Sequence, residues 1–407
     1  MVIASMLTHP FSLGAAQPLN LDRRVVTLGI IFLLAFLSNP AVAIDFDTSD
    51  GVVSVNGWGY QLQGPGGSAL LPGPLAVAPH DLLVIDFSRS GDEASKFTAQ
   101  EVDDIRNSAL GGNGERKVVA AYLSIGEASE FRTYWDPAWT TNGLASGALT
   151  GLAPSWLGPT NPNWPESRKV RYWESGWQAI VFNGSGTGWL DQIVTQGFDA
   201  AYLDIVDAYY FWAVEVAPGD REAGDPSDGD EKDAAGRMID FIVALTTHAR
   251  ITNPQFFVIP QNGAFILDAL EEEDPSRKAA YLNAIGGIAV EDTYFVGGLD
   301  ENNPLDPDVD KIAILQQDFL ENGKPVFAVD YVNTQPLIDD FVDRARSDGF
   351  APYPAPSRDL DSLAPPVVTA LPSLSPLGLG ALIAWLLVTG FKDRDPRRSG
   401  ADALRRS

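Results

Sequence analysis

Residues 197–210 (GFDAAYLDIVDAYY) constrain the chain most. They open on a turn residue, cross a short apolar run and end in two carboxylates and two tyrosines. A buried parallel strand reads this way when it delivers polar side chains at its C-terminal end. The fifth of eight expected strands lies here and ends at Asp204. The others are expected at 58–62, 81–87, 118–124, 170–173, 256–260, 287–290 and 326–329. Most close on an acid or amide: Asp86, Glu127, Glu174, Gln261 and Asn262, Glu291 and Asp292, and Asp330.

Helical patterns fill most gaps. Thr98 followed by Glu101 reads as a capping box. Segments 188–195, 274–283 and 307–321 read as helices, and 234–250 places Met238, Phe241, Ile242 and Leu245 at i, i+3, i+4, i+7 spacing. Strands alternating with helices imply a parallel sheet, and eight such units imply closure. The expected fold is α/β: a single-domain (β/α)8 TIM barrel over residues 44–360, with long loops on the C-terminal face. One loop, 131–167, is rich in Trp, Pro, Gly and Asn. Its tryptophans either stack on sugar rings or anchor the loop. The other, 216–233, is acidic but lacks calcium-loop spacing, and reads as solvated.

Composition narrows the chemistry. There are 54 acidic and 28 basic residues, a formal net charge of -26, so nucleic acid is not an expected partner. A cationic ligand would be attracted. The chain has no cysteine, which excludes disulfides, thiolate nucleophiles and cysteine-ligated metals. Its three histidines, His9, His80 and His248, share no motif, so neither a histidine metal site nor a Ser-His-Asp triad is expected. No metal or cofactor is expected.

The ends read as export signals. Arg23 and Arg24 precede the apolar run 25–37, and Ala41-Val42-Ala43 is a small-x-small cleavage site. Residues 1–43 are therefore expected to be leader and signal peptide. At the other end, 361–376 reads as linker and sorting motif, 377–391 as an apolar transmembrane segment and 392–407 as a basic tail. A plain single-span anchor and a soluble helix are the alternatives. The layout implies export to a Gram-negative-like cell surface, outer membrane or medium, with the membrane as a partner through 377–391.

Carboxylates gathered at one barrel mouth suit glycoside hydrolysis. One acid protonates the leaving oxygen, and the other attacks the anomeric carbon or activates water. A lone strand-end acid is as readily a helix cap or a salt-bridge partner. Burying many acids together costs stability unless something uses them.

Residues 57–63 (GWGYQLQ), 121–128 (AYLSIGEA), 197–207 (GFDAAYLDIVD) and 287–292 (GIAVED) together resemble glycoside hydrolase family 114. The resemblance runs from about Val55 to Tyr331. It implies a (β/α)8 barrel that cuts α-1,4-linked galactosamine-rich polysaccharide. It also implies Asp204 and Glu291 as the catalytic acids, Asp204 as nucleophile or base and Glu291 as general acid, with retention expected. Tyr60, Asp86, Tyr122, Glu127, Trp173, Asp207, Tyr209, Asn262 and Asp330 are expected to bind substrate. A non-catalytic polysaccharide-binding barrel and a hydrolase of another amino-sugar polymer are the rival readings.

Overall fold

The computed structural model describes residues 43–108, 116–270 and 274–367. Residues 1–42 of the expected leader and signal peptide, and the chain beyond 367, lie outside the described residues. Among the described residues no helix is long and apolar enough to cross a membrane.

The chain opens with an antiparallel hairpin, β1 (Ile44–Thr48) and β2 (Gly51–Val55). Three parallel strands follow: β3 (Trp58–Gln61), β4 (Leu82–Asp86) and β5 (Val118–Ser124). Next comes a small antiparallel sheet of β6 (Glu127–Ser129), β7 (Leu157–Thr160) and β8 (Ser167–Val170). The parallel series resumes with β9 (Ala200–Asp204), β10 (Phe257–Pro260), β11 (Ile288–Glu291), β12 (Val326–Tyr331) and β13 (Ala351–Ala355). Between these strands run α1 (Pro72–Val77), α2 (Ala99–Arg106), α3 (Ser175–Val181), α4 (Trp189–Gln196), α5 (Glu231–Thr252), α6 (Pro275–Ala284), α7 (Val309–Asp318) and α8 (Gln335–Ser347).

The eight parallel strands form a TIM barrel in the order β3-β4-β5-β9-β10, then β11-β12-β13. Isolated parallel bridges, Val258 to Ile285 and Gln261 to Ala289, join β10 to the β11 segment. On the other side Trp58 Nε1–H donates to the Ala351 carbonyl at 3.1 Å, and Tyr353 Oη–H donates to the Tyr60 carbonyl at 3.2 Å.

Period-two alternation divides the core in two. Leu82, Val84, Ala200 and Tyr202 point into the barrel, while Leu83, Ile85, Ala201 and Leu203 pack under the helices. Parity therefore decides which strand-end side chains enter the mouth. The hairpin closes the opposite end, where Phe46 stacks on Phe257 with centroids 4.6 Å apart. Such a pair contributes about 1 kcal/mol beyond its buried area.

The expected helices form within a few residues of their patterns. At α2, Thr98 Oγ1 accepts the Glu101 N–H, and the Glu101 carboxylate accepts the Thr98 N–H.

Two strand expectations are corrected. Segment 170–173 is no barrel strand: β8 ends at Val170 and pairs antiparallel with β6 and β7, so β5 bonds directly to β9. The strand beginning at Val326 is the seventh of the barrel, and β13 is the eighth. Pro352 and Pro354 disguise β13, since proline demotes a strand reading. They also lack the N–H groups that a ladder on that edge would use.

Loop 131–167 carries much of the small sheet and is stapled down by aromatics. Trp139 packs edge-on against Trp156, which packs on Trp177 of α3. Trp156 is buried and anchors the loop; Trp164 is exposed.

Candidate active site

Asp204 ends β9 and shares the inward parity of Ala200 and Tyr202. It is half-buried, so solvent reaches it. Its Oδ2 accepts the Tyr122 hydroxyl at 2.5 Å, and its Oδ1 accepts the Ile205 N–H at 2.8 Å. Ile205 is β-branched yet sits at φ +59°, in the left-handed region where such residues are strained. Gly126 leaves room for it: a Cβ there would lie 2.2 Å from the Ile205 carbonyl oxygen. The glycine of the SIGE word thus shapes the turn that presents Asp204.

Glu291 ends β11 and is also half-buried. One carboxylate oxygen accepts the Tyr331 hydroxyl, and the other accepts Asn262 Nδ2–H at 2.9 Å. The Glu291 N–H donates back to Asn262 Oδ1 at 3.0 Å. Asn262 makes this two-way clasp from φ +66°, a conformation asparagine tolerates. Arg358 lies over the Tyr331 ring, 3.9 Å from its centroid, and pairs with Asp292 rather than Glu291.

Strand β10 lies between β9 and β11, and neighbouring strands stand about 4.8 Å apart. Both carboxylates therefore enter one mouth from opposite sides of β10. Burial, then the Glu291 charge, pushes the Asp204 carboxyl up to about 7, while Tyr122 and the Ile205 N–H oppose the rise. Among the described residues, the donors to this pair are neutral. The pair has the polar equipment for proton transfer at one bond.

The other expected site residues divide. Tyr60 lies in the lumen and donates to Gln261 Oε1 at 3.4 Å. Tyr122 and Asn262 hold the two acids. Asp207 stands exposed three residues beyond Asp204. Asp86 and Glu127 are buried and held by cations, Asp86 by Arg132 at 2.8 Å and Glu127 by Lys169 at 2.5 Å.

Two residues, Asp330 and Tyr209, correct the expectation that they line the mouth. Asp330 has the outward parity of Val326 and Ala328. It accepts the N–H groups of Thr293, Tyr294 and Phe295, anchoring the loop after β11. Tyr209 is buried in the helix-side core. Trp173 packs edge-on against Tyr172 and Trp212, with Arg237 over its ring. Tyr331, outside the expected set, shares the inward parity of Phe327 and Val329. Among the described residues no group of three His, Asp or Glu side chains is arranged to hold a metal.

The model of glycoside-hydrolase family GH114 matches residues 45–367. An uncharacterised protein of Methanocaldococcus jannaschii is 32% identical over 315 residues, covering 75% of this chain and 77% of its own. An uncharacterised protein of Deinococcus radiodurans is 32% identical over 317 residues, covering 76% and 83%. Among solved structures, the glycoside hydrolase domain of PelA from Pseudomonas aeruginosa superposes with a TM-score of 0.50 at 16% identity. That match covers 76% of this chain and 98% of the domain. At such identity the likeness concerns the fold.

Proposed function

This chain belongs to glycoside hydrolase family GH114 and is a glycosidase; from that footing we propose that it cleaves α-1,4-linked galactosamine-containing polysaccharide with Asp204 and Glu291. The observation that carries the reading is the pairing of these two acids: one mouth, both reachable, both held by neutral donors. With a proton on Glu291, its charge no longer opposes ionisation of Asp204. Tyr122 and the Ile205 N–H then hold Asp204 as a carboxylate. In that state Asp204 attacks the anomeric carbon while Glu291 gives its proton to the leaving oxygen. Glu291 next takes a proton from water, which displaces Asp204 from the sugar.

The substrate reading rests on the family resemblance and on charge. Galactosamine units are cationic, and the net charge is -26. Export to the cell surface or beyond is proposed from sequence 1–43 and 371–407, outside the described residues.

The test is release of reducing ends from partly deacetylated galactosaminogalactan, with chitosan alongside. Cleavage of the first supports the substrate, and cleavage of chitosan alone moves the reading to another amino-sugar polymer. Full activity in both Asp204→Asn and Glu291→Gln would overturn the site.

A further inference from the structure

Four aromatic side chains are exposed among the described residues: Phe131 (55%), Trp164 (56%), Tyr210 (43%) and Phe265 (38%). Single exposed apolar residues need no explanation. These four all follow the C-terminal end of a barrel strand. Phe131 comes just after β6, which begins three residues beyond β5. Trp164 sits in the turn between β7 and β8, and β8 pairs with β6. Tyr210 follows β9, and Phe265 follows β10. The surface at the closed end exposes aliphatic Ile251 instead.

One of the rings, Phe131, lies next to the phenol that holds Asp204. Phe131 lines a recess whose walls include Tyr122, Ser124, Arg132 and Trp189. Tyr122 is the phenol that donates to Asp204. Two exposed acids share loops with the rings: Glu166 lies two residues after Trp164, and Asp207 three before Tyr210.

We infer that these rings form a platform on which a polysaccharide chain lies across the mouth, with sugar units beyond the cleaved linkage stacked on Phe131, Trp164, Tyr210 and Phe265. An aromatic face accepts the C–H face of a pyranose and attracts an ammonium group. The exposed Glu166 and Asp207 carboxylates accept its hydroxyl and ammonium donors. The inference deepens the proposed function and takes its polymer as the occupant.

The test measures affinity of the full chain for partly deacetylated galactosaminogalactan in a Glu291→Gln background, which prevents cleavage. Neutral galactan and chitosan are run in parallel. Trp164→Ala and Phe131→Ala are expected to weaken binding about fivefold each, the loss of an aromatic anchor. Ile251→Ala, at the closed end, is expected to bind as the parent does. In the active chain the two ring variants raise KM and leave kcat within about twofold, as expected for loss of uniform binding. Ring-dependent binding of a different polymer would overturn the substrate reading and keep the platform. Ring-independent binding, or binding of no polysaccharide, would overturn the platform.

Discussion

Strand β9 begins and ends beside an aspartate, and the two live differently. Asp199, at the entry, is buried and flanked by arginines, with Arg116 at 2.7 Å and Arg106 at 3.8 Å. It also accepts the Val119 N–H at 3.0 Å. Asp204, at the exit, has a phenol, a backbone N–H and an open side. A carboxylate that serves the fold is given cations and shut in. The carboxylate proposed to serve chemistry is held by neutral donors and left open on one side. The comparison extends across the mouth, where Asp86 and Glu127 follow Asp199, and Glu291 follows Asp204.

Substitutions at the two ends of β9 should therefore fail in opposite ways. Asp204→Asn and Glu291→Gln are expected to lower kcat about a thousandfold or more while the protein still folds. Asp199→Asn is expected to cost about 3 kcal/mol of stability, because it leaves two arginines short of a partner, with kcat per folded molecule unchanged. Chemical denaturation and steady-state rates on the same samples separate the two. Loss of catalysis in Asp199→Asn at full stability would break the contrast.

Stability against pH sharpens it. Asp204 titrates at about 7 in the fold, above its ordinary 3.8, so the folded state holds its proton over that window. Stability from this group is therefore lost as pH rises from about 4 through 7. Asp204→Asn escapes that loss and is expected to be more stable than the parent at pH 8, by roughly 1–3 kcal/mol, and so to melt higher. Equal melting at pH 8 would count against the shift.

Tyr122→Phe removes a donor that favours the ionised Asp204. The acidic limb of kcat/KM, expected near pH 7, should move to higher pH, with activity at pH 7 down about tenfold. An unmoved limb would detach the phenol from the acid. The smallest effect concerns charge at a distance: raising salt to 0.5 M should raise KM for a cationic polymer several-fold. A salt-independent KM would argue for a neutral substrate.

Much of this was readable in advance. The strands β3, β4, β5, β9, β10, β11 and β12 announce themselves as apolar runs closed by polar residues. Helices α2, α4, α5, α6 and α7 follow caps and periodicity. The acid pair is legible because each member closes a buried run. Less legible was β13, whose prolines imitate a loop. So was segment 167–173, whose pattern belongs to a different sheet. Asp330 looked like a site acid because the strand-end rule ignores parity, whereas counting by two from Phe327 selects Tyr331.

By itself, then, the order of residues determined seven of the eight parallel strands, the class of fold and that Asp204 and Glu291 close their strands, since local periodicity and capping are written in neighbouring residues. Tertiary structure alone decided which strand-end acids are neutralised. Arg132, Lys169 and Arg116 reach their carboxylates across 42 or more residues of chain. Such partnerships exist only once barrel closure has brought the strands together.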